Sequence, residues 1–254
     1  MSELASVLTT VFAWSGTTDR AFDPTVLPLV RAWDLRGRGR IPSPQELAAA
    51  RAATGPQRFR IDSLRLTAAR LDPTAGIDEG AWGKGYALDR AAARLESAGL
   101  KDMLLDLGGQ VLARGKDGGG NDWTVAIAHP QERARPVVVL ALSNLSASTS
   151  GNSERGRKVR HVRIGHLLDP RTGEPAKDFG SVTVLASSAL VADVLSTAFY
   201  VLGPQEGLAL SARLRSRGTL NEALFLVEHP DGLEAVASPA FPHSFSRPTR
   251  PCAA

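Results

Sequence analysis

Apolar positions along this chain follow two periods, helical and alternating, in successive blocks. Residues 4–14 carry apolar side chains at helical spacing and predict an amphipathic helix. A polar loop follows from Ser15 to Arg20, and Phe22-Asp-Pro-Thr25 then predicts a turn that delivers Val26, Leu29, Val30 and Trp33 into a buried helical segment. Ser43-Pro-Gln-Glu46 opens another helix, with serine as N-cap, proline at the first position and glutamate three residues on. That helix is expected to end near Gly55-Pro56, and Phe59–Leu66 with Ala68–Leu71 reads as a β-hairpin. The glycine-spaced segment Asp78 to Gly85 opens a helix whose apolar face is Ala87, Leu88, Ala91, Ala92 and Leu95, closed by Gly99.

Strand patterns dominate the second half. Met103–Leu107 and Gln110–Arg114 flank a turn at Gly108-Gly109, and Trp123–Ala128 should pair with Val137–Leu142. Asn144 to Gly151 is rich in hydroxyls and reads as a loop where a ligand could approach the backbone, although a plain serine-rich loop looks the same. Arg155–Arg163 is expected to be a basic, exposed hairpin, and Ser181–Ala186 a strand. Ser187-Ser188 caps a helix from Ala189 to Leu202, stopped by Gly203-Pro204. A further helix, Gln205–Leu214, and a hairpin of Ala223–Glu228 and Leu233–Ala237 complete the pattern. The order of elements predicts a single α+β, or mixed α/β, domain over residues 1–238, with a disordered tail over 239–254.

Composition narrows the class. The 254 residues are 43% hydrophobic and 22% charged, as in a globular protein with a substantial core. No run approaches the roughly 20 apolar residues of a membrane span. The start, Met1-Ser-Glu-Leu, carries an acid and no basic cluster, so no signal peptide and a cytoplasmic location are expected. A lone Cys252 gives neither an intrachain disulfide nor a zinc cluster. The net charge of +4 suits anionic ligands without selecting them. No aromatic residues interleave with the basic stretch 155–163, so nucleic acid is not an expected partner.

Three segments carry chemistry. His166-Leu-Leu-Asp-Pro-Arg-Thr-Gly-Glu-Pro175 gathers an imidazole, a carboxylate, a guanidinium and a hydroxyl in a stretch that turns at Asp169-Pro170 and again at Gly173. Read alone, it also fits an ordinary charged surface turn. In Gly80-x-x-Gly83-Lys84-Gly85, free amides at a helix start beside a lysine would form an anion site. It is not a P-loop, whose Gly-Lys is followed by Ser or Thr, and a close-packed turn has the same spacing. Asp193 interrupts an apolar helical run and shares a face with Thr197 four residues later. Oxygen ligands without histidine or thiol suit a hard cation such as Mg²⁺, and the same spacing fits an Asp on the solvent side of a surface helix.

Taken together, the His-x-x-Asp-Pro-Arg-Thr-Gly-x-Pro string, Ala21-Phe-Asp-Pro-Thr-Val26, Asp78-Glu-Gly-Ala-Trp-Gly-Lys-Gly-Tyr-Ala-Leu-Asp89, Thr149-Ser-Gly151 and Ala192–Gly203 resemble, in order, the ApbE family of FAD:protein FMN transferases. The resemblance implies an ApbE-like fold, a curved mixed sheet layered with helices. It implies FAD contacts at Phe22, Asp23, Asp78, Lys84 and Leu168, a magnesium ion on Asp193, Thr197 and the Ala81 carbonyl, and His166 as the catalytic base. Asp169 and Arg171 are expected to shape the loop rather than to react. The sequence departs from the family pattern in places. Only about twenty residues precede Phe22, implying a shortened N-terminal part. Asn152-Ser153 follows Thr-Ser-Gly where an aromatic is usual, and Glu79 and Gly165 stand where an apolar and a larger residue are expected.

The implied reaction splits FAD at its pyrophosphate and attaches FMN by a phosphoester to a threonine or serine of an acceptor flavoprotein, releasing AMP. The acceptor sequence implied is of the type Asp-x-x-Thr/Ser-Gly/Ala-Ala-Thr/Ser. Two alternatives stand beside it: an FAD pyrophosphatase that uses water at the same site, and a non-catalytic flavin-binding remnant.

Overall fold

The computed structural model describes residues 2–62, 64–152, 156–159, 162–219 and 221–241. Helix α1 spans Ser2–Thr17, three residues beyond the expected end, and buries Val7, Leu8 and Val11. In the added turn the Thr17 hydroxyl bonds back to the Ala13 carbonyl (2.9 Å), within the helix. Two short helices follow, α2 (Leu27–Ala32) and α3 (Pro44–Ala52). The capping box on α3 is present in full, with Ser43 and Glu46 each serving the other's amide. Strands β1 (Phe59–Asp62) and β2 (Thr67–Arg70) form the expected antiparallel hairpin.

Helix α4 spans Gly83–Ser97. After it come β3 (Met103–Leu107), β4 (Gln110–Arg114), β5 (Trp123–Ala128), β6 (Pro136–Leu142) and β7 (Ser146–Gly151). Strands β8 (Arg157–Val159) and β9 (Val162–Ile164) form the basic hairpin. The chain continues with β10 (Gly180–Ala186), α5 (Ala189–Ser216), β11 (Asn221–His229) and β12 (Gly232–Ala237). The two helices expected from 189 and 205 are continuous in α5 except at Gly203, whose φ of 78° breaks the helical path ahead of Pro204.

The central sheet has six strands in the order β12-β11-β10-β7-β4-β3. Helix and sheet are mixed as expected, but every pairing within this sheet is antiparallel rather than mixed. The reason is connectivity: β3–β4 and β11–β12 are direct hairpins, and no helical crossover returns a strand parallel to its neighbour. The hydroxyl-rich segment is not a loop. It is β7, near the sheet's centre, with Ser148 and Ser150 bonded to Ser196 on α5 (3.2 and 2.9 Å) and Thr149 bonded to Thr183 (2.8 Å). Small side chains are needed there because α5 lies directly across the strand, and their hydroxyls bond to neighbouring side chains.

Alternation along the inner strands separates two cores. Val182, Val184, Ala223 and Phe225 face α1 and α5, while Leu185, Leu224 and Leu226 face the β5–β6 hairpin with Leu140 and Leu142. β10 is therefore buried at every position. Phe241 packs into the second core at 1% exposure, inside the stretch expected to be a disordered tail; the tail from Pro242 onward lies outside the described residues. Among the described residues no helix is long and apolar enough to cross a membrane.

The start of α5 is fixed by α4. Asp89 accepts from the Ser188 hydroxyl (2.7 Å) and from the amides of Ala189 (2.8 Å) and Leu190 (2.9 Å). These amides would otherwise be orphan donors at a helix N-terminus, where a carboxylate is also favoured by the helix dipole. Replacing Asp89 by Ala should lower unfolding stability by about 2 kcal/mol, measured by urea denaturation. A change below about 0.5 kcal/mol, the range of ordinary surface substitutions, would mean that the cap does not anchor α5.

Candidate active site

Four segments converge at one end of α5. The turn before α4 is organised by Asp78, whose Oδ1 accepts from the Gly80 amide (2.9 Å) and whose carbonyl accepts from the Trp82 indole (2.9 Å). Its other oxygen accepts from Arg36, which also reaches Glu79 (2.8 and 3.2 Å). Glu79, anomalous by the family pattern, thus has a partner. The adjacent carboxylates, Asp78 foremost, hold the Arg36 guanidinium pKa above its ordinary value.

Asp193 is 2% exposed, so it is not on the solvent side of a surface helix. Its Oδ1 accepts from Lys84 Nζ and its Oδ2 from the Gly85 amide, both at 3.0 Å. The anion expected over the α4 N-terminus is therefore, in this structure, the protein's own carboxylate. Such an approach requires glycine: a Cβ on Gly85 would lie 2.2 Å from the Ala189 carbonyl oxygen. A buried carboxylate is costly unless compensated, and here a lysine and an amide compensate it.

The loop from His166 is built as its turn chemistry predicts. The Asp169 carbonyl accepts from the Gly173 amide (2.7 Å), the Asp169 amide donates to the Glu174 carbonyl (2.8 Å), and Leu168 and Pro175 form an isolated antiparallel bridge. Arg171 grips Asp169 with Nε and Nη2, so both residues shape the loop. From outside, the Trp33 indole donates to the Gly173 carbonyl (2.8 Å) and Arg51 to the Arg171 carbonyl (2.8 Å). Downstream of the loop, the Tyr200 hydroxyl on α5 donates to Asp178 (2.8 Å). Burial first, then that hydrogen bond, pushes this phenol far above its ordinary pKa, so it remains a donor.

Two cavities meet here. One, of about 510 Å³, includes Phe22, Asp23, Asp78, Ala81 and Leu168 in its lining. The other, of about 470 Å³, includes Lys84, Asp193, Gln110 and Ser181. Both are lined by Gly80, His166, Leu167 and Thr197. The expected site residues thus gather around one junction, with qualifications. Phe22 is 1% exposed and belongs mainly to the first core. Asp23 has Oδ1 engaged by the Thr25 amide and hydroxyl and Oδ2 by Arg20, so it presents a turn rather than a free carboxylate. Gln110 and Ser181 did not stand out in the sequence; a lone glutamine opening an apolar strand was the available signal.

The donors expected for magnesium are a carboxylate, a hydroxyl and a carbonyl, all hard oxygens that fit such an ion. Asp193 already stands where positive charge is stabilised, against Lys84. Among the described residues no three His, Cys, Asp or Glu side chains form a metal cluster.

Two departures from the family pattern explain each other. Asn152, 2% exposed, accepts at Oδ1 from the Leu167 amide (3.2 Å), beside His166. Its side chain occupies the space of any Cβ at position 165, only 2.2 Å away. Gly165→Ala should cost about 1–2 kcal/mol by displacing that amide. Combined with Asn152→Ala, the loss should be smaller than the sum of the single losses. Additive losses in urea unfolding would show that the pair is not coupled.

Sequence and structure comparisons agree with this picture. The model of the ApbE family matches residues 1–220. A FAD:protein FMN transferase of Salmonella typhimurium is 33% identical over 246 residues, covering 94% of this chain and 69% of the relative. The apo Pseudomonas stutzeri flavinyl transferase ApbE superposes with a TM-score of 0.80 at 32% identity, covering 96% of this chain and 75% of that one. The Thermotoga maritima ApbE protein gives 0.83 at 31% identity, covering 93% and 76%.

Proposed function

Because this chain belongs to the ApbE family, we propose that it is an FAD:protein FMN transferase, as its relatives are named. The observation that carries the reading is the junction of the two cavities at His166 and Thr197. FAD occupies the cavity of Phe22, Asp78 and Leu168, with its pyrophosphate toward the α4 N-terminus. The acceptor threonine or serine hydroxyl reaches the phosphorus of the FMN half from the other cavity. His166 takes the hydroxyl proton as the new O–P bond forms, and the pyrophosphate P–O bond breaks to release AMP with its electron pair. Lys84 sets a fixed positive charge beside these phosphates. Asp193, Thr197 and the Ala81 carbonyl would hold a magnesium ion, which would neutralise pyrophosphate charge.

Incubation of the purified chain with FAD, Mg²⁺ and a peptide carrying Asp-x-x-Thr-Gly-Ala-Thr should release AMP and leave flavin fluorescence on the peptide. Chelation with EDTA should abolish both, and His166→Ala should slow transfer by about 10²–10⁴-fold. AMP without labelled peptide would make the protein a pyrophosphatase, and FAD binding without AMP a non-catalytic flavin binder. Undiminished transfer by His166→Ala would remove the histidine from the mechanism.

A further inference from the structure

Strand β5 pairs only with β6, so among the described residues its other edge has no strand beside it. Five consecutive residues of it, Thr124–Ala128, line the 470 Å³ cavity. Residues of both faces contribute, which is what a strand presents along its edge. Val125 and Ile127 are sunk into the second core, while Thr124 and Ala126 are exposed and small, leaving room above the strand.

The same cavity is lined by Gln110 and Ser181, 1% and 4% exposed, whose Oε1 and Oγ are buried without hydrogen-bond partners. Native interiors seldom leave such atoms unsatisfied, and both belong to residues lining this same cavity. Gln110 is held in place from its other end, Nε2 donating to the Ala189 carbonyl (2.8 Å). The lining therefore combines a strand edge, with its backbone donors and acceptors, with an amide oxygen and a hydroxyl. His166 and Thr197 also line this cavity.

We propose that this cavity is the acceptor site, where an extended segment of the acceptor protein adds as a strand along the free edge of β5 and brings its hydroxyl to His166. The proposal rests on the transferase reading above and specifies where its second substrate lies. Main-chain pairing along an edge is a general mode of peptide capture. It leaves the acceptor's side chains to be selected by the small surface of Thr124 and Ala126 and by the Gln110 and Ser181 acceptors. Of the residues expected to hold FAD, Phe22, Asp23, Asp78 and Leu168 line the other cavity, and Lys84 lines this one.

The test uses the full chain with the same Asp-x-x-Thr-Gly-Ala-Thr peptide. Ala126→Trp should fill the groove and raise the KM for peptide at least tenfold, with FAD affinity, read by fluorescence titration, unchanged. Independently, hydrogen exchange of the unmodified protein should show amides of residues 123–128 protected when peptide is added in the presence of FAD. An unchanged peptide KM in Ala126→Trp, or no added protection in β5, would overturn the acceptor site while leaving the transferase reading intact. If the unmodified chain labels no peptide at all, the transferase reading fails, and this assignment with it.

Discussion

The site depends on a single buried carboxylate. Asp193 sits in an apolar stretch of α5, and its charge is tolerated because Lys84 and the Gly85 amide face it from α4. That pairing dictates how close the two helices come. Contact between Gly85 and the Ala189 carbonyl removes any possibility of a side chain there, Asp89 fastens the α5 N-terminus, and Gln110 takes the Ala189 carbonyl from below. Breaking one partner would strand a charge in low dielectric, which is worth far more than the pair's own attraction. Gly85, the Asp89 cap and the Asp193 carboxylate are thus parts of one constraint.

Around this fixed point the fold is simple. An antiparallel sheet carries helices on one face and a detached hairpin on the other, and the serine-lined β7 lets α5 lie close to the sheet's centre. The helical face supplies charge and oxygen donors. The hairpin face supplies an open cavity. His166 lines both cavities, on a loop whose shape is set by its own turn hydrogen bonds and by Trp33 and Arg51.

Much of this was legible in the sequence, for local reasons. β3, β4 and β5 match their expected bounds because alternation and flanking glycines determine them within a few residues. The turn at Asp169-Pro170 was readable because Asx and proline chemistry acts over two or three positions. What escaped reading was non-local. β7 has serines where a strand usually carries branched or aromatic residues, and only the presence of Ser196 across from it makes them appropriate. The capture of Asp193 by Lys84 joins positions 109 apart, and the exclusion between Asn152 and Gly165 joins two motifs that look merely irregular when read singly.

The latch on the His166 loop has a further consequence in time rather than in space. The Trp33–Gly173 and Arg51–Arg171 contacts span 140 and 120 residues, whereas the sheet's outer hairpins close over a handful. Loop-closure entropy delays contacts of high sequence separation relative to local ones. A chain that has zipped its sheet but not yet docked α2 and α3 therefore carries most of its core and no organised histidine loop. Organisation of this loop therefore waits on contacts of high sequence separation, after the local hairpins can close.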